Sequence, residues 1–272
     1  MTVTCYPSPG KRKAAKMCRY FAAGCIHNGV KARIAPAGCS TLAPRSAAFF
    51  YGWTEHTAPL INECGAEGRD WYYADNAYYF GRSTYFRVTR NALMHDGRPA
   101  AGEHGRDRFE RFGLEIIPWR KGGRHVVVAT QSELFYRMKL GHSRASWTAE
   151  VVRGIEAATD RPIEVCHKPA PRDMARAQAH APKLESLLED AWALVTHSSS
   201  ASVAALIRGV PVFCLAPCMS SRMGLMDLAK IEEPVTPDGR ERWAWALAAN
   251  QWTYREMATG QCWRELQAQS DL

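Results

Sequence analysis

Residues 190–217 read DAWALVTHSSSASVAALIRGVPVFCLAP, and this stretch decides the fold. It begins with a short apolar run at 193–195. A polar cluster follows: Thr196, His197, Ser198, Ser199 and Ser200. Residues 201–208 place Val203, Ala204, Leu206 and Ile207 on one helical face, and Gly209 fits the left-handed position just past a helix end. Residues 210–215 form a second apolar run with two valines and a phenylalanine. Strand, loop, helix, glycine stop and strand make a βαβ unit, the connection that parallel strands require. In a parallel sheet the loop after a strand lies on the ligand side. Its serines can cap the helix, and they can also leave N–H groups facing an anion such as a phosphate. The local pattern leaves both readings open.

The same alternation extends outward. Upstream, RHVVVA at 124–129 predicts a strand, 146–159 a helix, 162–166 a strand and 174–189 a helix. In the first half, strands are expected at 3–6, 30–34, 46–51 and 70–74, with helices over 11–28 and 58–67. The strand DWYYA at 70–74 delivers Asp75 to its carboxyl end. Residues 76–120 are rich in arginine, glycine and aromatics without a clean period. They read as a long excursion plus a linker, and such segments are usually functional. Residues 237–269 read as helical and carry Trp243, Trp245, Trp252 and Trp263, a stripe expected in a core. The expected fold class is α/β, with two Rossmann-like domains facing across a cleft. The expected boundaries are 1–120, 121–236 and 237–272, the last as helices bridging the domains. The chain has no internal repeat and neither a G-x-x-x-x-G-K-[ST] nor a G-x-G-x-x-G motif, which argues against a P-loop kinase and a standard NAD domain.

A hydrophobic content of 46% and a charged content of 23% are those of a globular domain protein. No run is long enough to span a bilayer, and the first residues lack the apolar core of a signal peptide, so a cytoplasmic location is expected. The nine cysteines lack paired spacing. Cys214 and Cys218 are the nearest pair, and no second Cys/His pair answers them, so reduced thiols are expected and zinc is not. The net charge of +8 is unevenly spread: residues 1–54 carry eight basic side chains and no acidic one. A one-sided basic field suits a polyanion, most simply nucleic acid, or is only a solvated face.

Two clusters can carry chemistry. The first is the strand end His167–Lys168–Pro169 with the loop Thr196–Ser200. If both strand ends share one rim, Lys168 supplies a point charge, Arg172 a second, and the loop supplies N–H and hydroxyl donors to a diphosphate leaving group without a metal. The second cluster is residues 71–90, WYYADNAYYFGRSTYFRVTR. Asp75 is a candidate general base or a turn cap, with Glu55 and Glu63 as weaker alternatives. Arg82, Arg87 and Arg90 alternate with aromatics, a pattern that suits phosphates and stacked bases or an ordinary core with a snorkelling rim. Lys11, Arg12, Lys13 and Lys16 open a predicted helix and extend the basic face.

The phrases HKP at 167–169, THSSSASVAALIRGVPVFC at 196–214, IEEP at 231–234 and RERWAWALAANQWTYREMATGQCW at 240–263 resemble the donor domain of GT-B glycosyltransferases. The likeness is to a group spanning capsule-type sugar transferases and bacteriophage transferases that glycosylate hydroxymethylated pyrimidines in DNA. YYADNAYYFGRSTYFRVTRNA at 72–92 resembles the same group. The resemblance implies a nucleotide-sugar donor, a UDP-sugar first, held by Lys168 and Thr196–Ser200. It also implies an acceptor on the N-terminal domain, Asp75 as base, and no obligatory metal or other cofactor. The basic first half points to double-stranded DNA with a hydroxymethylated pyrimidine as the acceptor, and then to a host cytoplasm. A capsule or lipopolysaccharide sugar transferase is the alternative, and a non-catalytic nucleic-acid-binding protein on a transferase fold the third.

Overall fold

A computed structural model describes residues 1–79, 84–96, 104–167 and 183–268. The chain divides into two units, Met1–His95 with Asn250–Leu272, and Asp96–Ala249. Residues 96–120 thus group with the second unit, and the tail from 237 is shared out between the two.

In the first unit, β1 (Thr2–Tyr6), α1 (Arg12–His27), β2 (Lys31–Ile34), β3 (Ala47–Tyr51), α2 (Thr57–Ala66) and β4 (Trp71–Asn76) follow the predicted alternation. These four strands are parallel, in the order β4-β3-β1-β2. The sheet continues with β5 (Tyr85–Arg90), antiparallel to β4, and ends on β11 (Gln251–Thr253), antiparallel to β5. Helix α1 forms because Ala14, Met17, Cys18, Phe21 and Cys25 recur at helical spacing, and that stripe is buried on the sheet. Phe21 stacks on Phe49 with ring centroids 4.0 Å apart. Trp252, Trp263 and Leu266 complete the same core from the other end of the chain. Tyr6, Phe50, Leu60 and Tyr73 pack on the opposite face, so neighbouring Phe49 and Phe50 serve different cores.

The expectation of an irregular 76–120 is corrected here by β5 and by α3 (His104–Arg111). The all-helical tail is corrected by β11. A three-residue strand whose partner lies at the far end of the chain leaves no periodic signal.

The strands of the second unit are β6 (His125–Ala129), β7 (Ile163–Cys166), β8 (Ala191–Thr196), β9 (Val212–Cys214) and β10 (Gly224–Leu225). They form one sheet, all parallel, in the order β10-β9-β8-β6-β7. Strands β6 and β8 are continuously apolar because both faces are covered: Val126–Val128 and Ala193–Val195 are fully buried. The helical segments between these strands include α4 (Glu133–Phe135), α5 (Arg144–Glu156), α6 (Leu184–Leu187) and α7 (Ala201–Ile207). Helix α8 (Arg240–Ala249) buries Trp243, whose indole N–H donates to the Met219 carbonyl at 2.7 Å. Among the described residues no helix is long and apolar enough to cross a membrane, and no group of three or more His, Cys, Asp or Glu is placed so that it could hold a metal ion.

Candidate functional site

The order of the second sheet positions the site. From β6 the chain passes to β7 on one side and, later, to β8 on the other. The strand order therefore reverses between β6 and β8, and ligands of open parallel sheets bind at the carboxyl ends beside such a reversal. Strand β6 lies between β7 and β8, so the rim that their ends share gains two residues the motif search missed, Thr130 and Gln131. Thr130 Oγ1 meets His167 Nδ1 at 3.0 Å, which ties the end of β7 to that of β6. On the other side Thr196 Oγ1 donates to the Ala129 carbonyl at 2.7 Å. Thr196 is fully buried, so it is a strut of the loop.

The serine loop divides its work. Ser199 serves the helix: its Oγ accepts from the Ala201 N–H at 3.2 Å and its carbonyl from Ser202 Oγ at 2.7 Å. Among the described residues no group accepts from the N–H of Ser198 or Ser200. Capping therefore falls to Ser199, and the N–H groups of Ser198 and Ser200 are left without an acceptor. Ser198 Oγ is the middle of a chain across the reversal point. Gln131 Nε2 donates to it at 3.2 Å, and His197 Nδ1 lies 3.0 Å away. His197 is flanked by the rings of Phe135 and Trp147 at 5.4 and 6.4 Å. Burial first, then the charges of His142 and Lys139, lower its pKa, so the imidazole is neutral and Nδ1 can accept the serine proton. His167 is lowered likewise, by burial and then by Arg144. Lys168 and Arg172 lie outside the described residues, as does Arg82.

In the first unit Asp75 does reach the carboxyl end of β4. Its Oδ2 accepts from Arg87 at 3.0 Å and from Tyr73 OH at 2.9 Å, and its Oδ1 from the Asn76 N–H at 2.7 Å. The antiparallel register sets Asp75 opposite Arg87. Arg87 is only 9% exposed, so its expected place on a nucleic-acid face is corrected: it is the buried counter-ion of Asp75. Arg90 pairs with Asp70 at the other end of β4, so the arginines of β5 do not form one stripe. Tyr78, Tyr79 and Phe86 are buried, which makes this aromatic run core. Lys11 and Arg12 are exposed at the start of α1, where the first turn has no acidic residue. Lys13 donates to Asn76 Oδ1 at 3.1 Å and sits over the Phe86 ring. Lys16 lies over the Tyr254 ring. Glu55 and Glu63 form no part of the Asp75 cluster among the contacts described.

Two shallow grooves lie elsewhere. One is lined by Glu156, Thr159, Arg161 and Ile163, the other by Thr2, Arg45, Ser46 and Asp70. Both sit at the amino ends of strands, where parallel sheets do not place their ligands.

The chain matches no protein-family model and no curated protein sequence. Among solved structures it is similar to the β-Kdo 2,4-transferase of Thermosulfurimonas dismutans KpsC, with 14% identity and a TM-score of 0.54 over 90% of each chain. It is similar also to the β-Kdo 2,7-transferase of the same protein, with 14% identity, a TM-score of 0.53, and 97% of this chain matched to 99% of that one. At this identity the likeness establishes the fold, an α/β architecture of the GT-B type with two Rossmann-like units.

Proposed function

We propose that the protein is a sugar transferase that takes a nucleotide-activated sugar at the β6–β8 rim and passes the sugar to a saccharide acceptor held by the first unit. The observation that carries this is the rim itself: two loop N–H groups without an acceptor, at Ser198 and Ser200, beside a polar chain that crosses the reversal point. Such N–H groups stabilise the phosphate that leaves as the sugar departs. Lys168 and Arg172 remain candidates for the same phosphates, a UDP-sugar the first donor to try, and no metal is called for. The fold shared with capsule-type Kdo transferases favours a saccharide acceptor over DNA. The experiment is transfer from a panel of UDP-, CMP- and GDP-sugars to oligosaccharide acceptors, read by mass spectrometry. Transfer of a sugar in none of these pairs would remove the reading.

The donor loop is tested by binding. Replacing Ser200, whose hydroxyl makes no cap bond to the helix, by alanine is expected to loosen nucleotide-sugar binding by roughly tenfold or more, since a hydrogen bond to a charged group is worth about 1.5–3 kcal/mol. Unchanged affinity by calorimetry would take that hydroxyl out of the site.

One observation supports the second reading, transfer to a hydroxymethylated pyrimidine in double-stranded DNA: the acid-free basic residues 1–54, with Lys11 and Arg12 exposed. Salt separates the two. DNA binding through this face would weaken steeply with ionic strength by counterion release, and charge reversal at Lys11, Arg12, Lys13 and Lys16 would flatten the slope. The leading reading expects a shallow slope, and sugar found on hydroxymethylated DNA would replace it with the second.

A further inference from the structure

We infer that Gln131 is a recognition residue of the donor site, and that its side-chain carbonyl accepts a hydrogen bond from a hydroxyl of the bound nucleotide-sugar. The inference rests on the reading of the β6–β8 rim as the donor site. Gln131 follows β6, Ser198 follows β8, and their 3.2 Å contact spans the place where the strand order reverses. The residue is held at two points: its backbone N–H donates at 3.2 Å to the OH of Tyr136, itself fully buried, and its side-chain amide donates to Ser198 Oγ. In the structure the amide nitrogen faces the serine: Gln131 Nε2 donates to Ser198 Oγ, which leaves the serine hydroxyl to donate to Nδ1 of His197 in its Nε2–H tautomer. That leaves Oε1, which is buried and has no hydrogen-bond partner. A buried carbonyl without a donor is costly, and such groups are satisfied in most proteins.

The chemistry of the missing partner follows. Oε1 can only accept, so it repels a phosphate oxygen and calls for a donor, an O–H or an N–H. It lies beside the loop whose free N–H groups suit the phosphate. The hydroxyls adjoining a phosphate in a nucleotide-sugar are those of the ribose and of the sugar to be transferred. Either source presents the same group to Oε1.

The test is calorimetry on the full chain with UDP, CMP and GDP, with the 2′,3′-dideoxy form of the nucleotide that binds best, and with its sugar conjugates. Gln131→Met and Gln131→Ala are compared with wild type; Met keeps the volume and removes the carbonyl, and Ala cannot crowd the site. The expected result is a loss of about tenfold or more in affinity in both variants, with the thermal midpoint of the Met variant no lower than that of wild type. A merely structural glutamine would instead lower the midpoint and spare the affinity. If the ribose is the partner, the variants lose affinity for the plain nucleotide, and the dideoxy form binds wild type and variants alike. If the transferred sugar is the partner, the loss is confined to sugar conjugates. Equal affinity of wild type and both variants for every ligand overturns the inference and leaves the donor site standing. A wild type that binds none of these ligands overturns the donor site and the inference with it.

Discussion

Replacing Asp75 by asparagine is expected to lower the stability of the protein by about 3 kcal/mol, apart from anything it does to activity. Removing one partner of a buried ion pair costs about 3–5 kcal/mol because the other charge is left uncompensated. The Arg87 side chain is 11% exposed and that of Asp75 26%, which puts the cost at the low end of that range. Asparagine can still accept from Tyr73, but it brings no charge to answer the guanidinium. An inactive Asp75→Asn would therefore be no proof that Asp75 takes a proton. The double variant Asp75→Asn/Arg87→Met separates the two roles, because a pair replaced by groups without charge is close to neutral in stability. A double variant that regains its unfolding midpoint and stays inactive makes Asp75 the base, whose removal costs about 10²–10⁴-fold in rate. One that regains both makes the ion pair its whole role. An unchanged urea midpoint in the single variant would sink the argument from the pair.

Gly209→Ala is expected to destabilise the second unit by about 2–5 kcal/mol. Gly209 has φ +74°, and an L-residue there costs about 1–2 kcal/mol. It closes α7 as a Schellman turn: Val210 N–H donates to the Ala205 carbonyl at 2.9 Å and Gly209 N–H to that of Leu206 at 3.1 Å. A Cβ there would lie 2.1 Å from the Pro118 carbonyl oxygen. The segment around Pro118 cannot easily retreat. Ile117 N–H binds the Ile207 carbonyl and Arg120 N–H that of Gly209, both at 2.9 Å, while Arg240 lies over Trp119 at 4.0 Å and donates to Leu206. Overpacking against such a wall adds about 1–3 kcal/mol. Gly29→Ala is the control. Gly29 has the same φ with nothing within 4 Å, so only the backbone cost of about 1–2 kcal/mol is expected. Equal midpoints for the two variants in thermal melts would show that the Pro118 contact yields.

The stretch at 190–217 by itself determined strand, loop, helix, glycine stop and strand. Each of those signals is carried by residues that are neighbours in the chain: a run of apolar side chains, a helical stripe, a glycine where φ turns positive. The same local signals placed β1, β3, β4, β6 and β7 within a residue or two, carried Asp75 to a strand end, and showed the basic bias of residues 1–54. Strand order and register belong to the tertiary structure. Strand β6 enters between β7 and β8 because a strand apolar on every side must be covered on both faces and paired on both edges, and no residue of 162–196 encodes that. Gln131 became visible only through that insertion. Arg87 looked like one of a basic stripe in the chain, and the antiparallel register turned it inward onto Asp75. The three residues of β11 carry too little pattern to be read alone, and they become a strand because the exposed edge of β5 is there to pair with them.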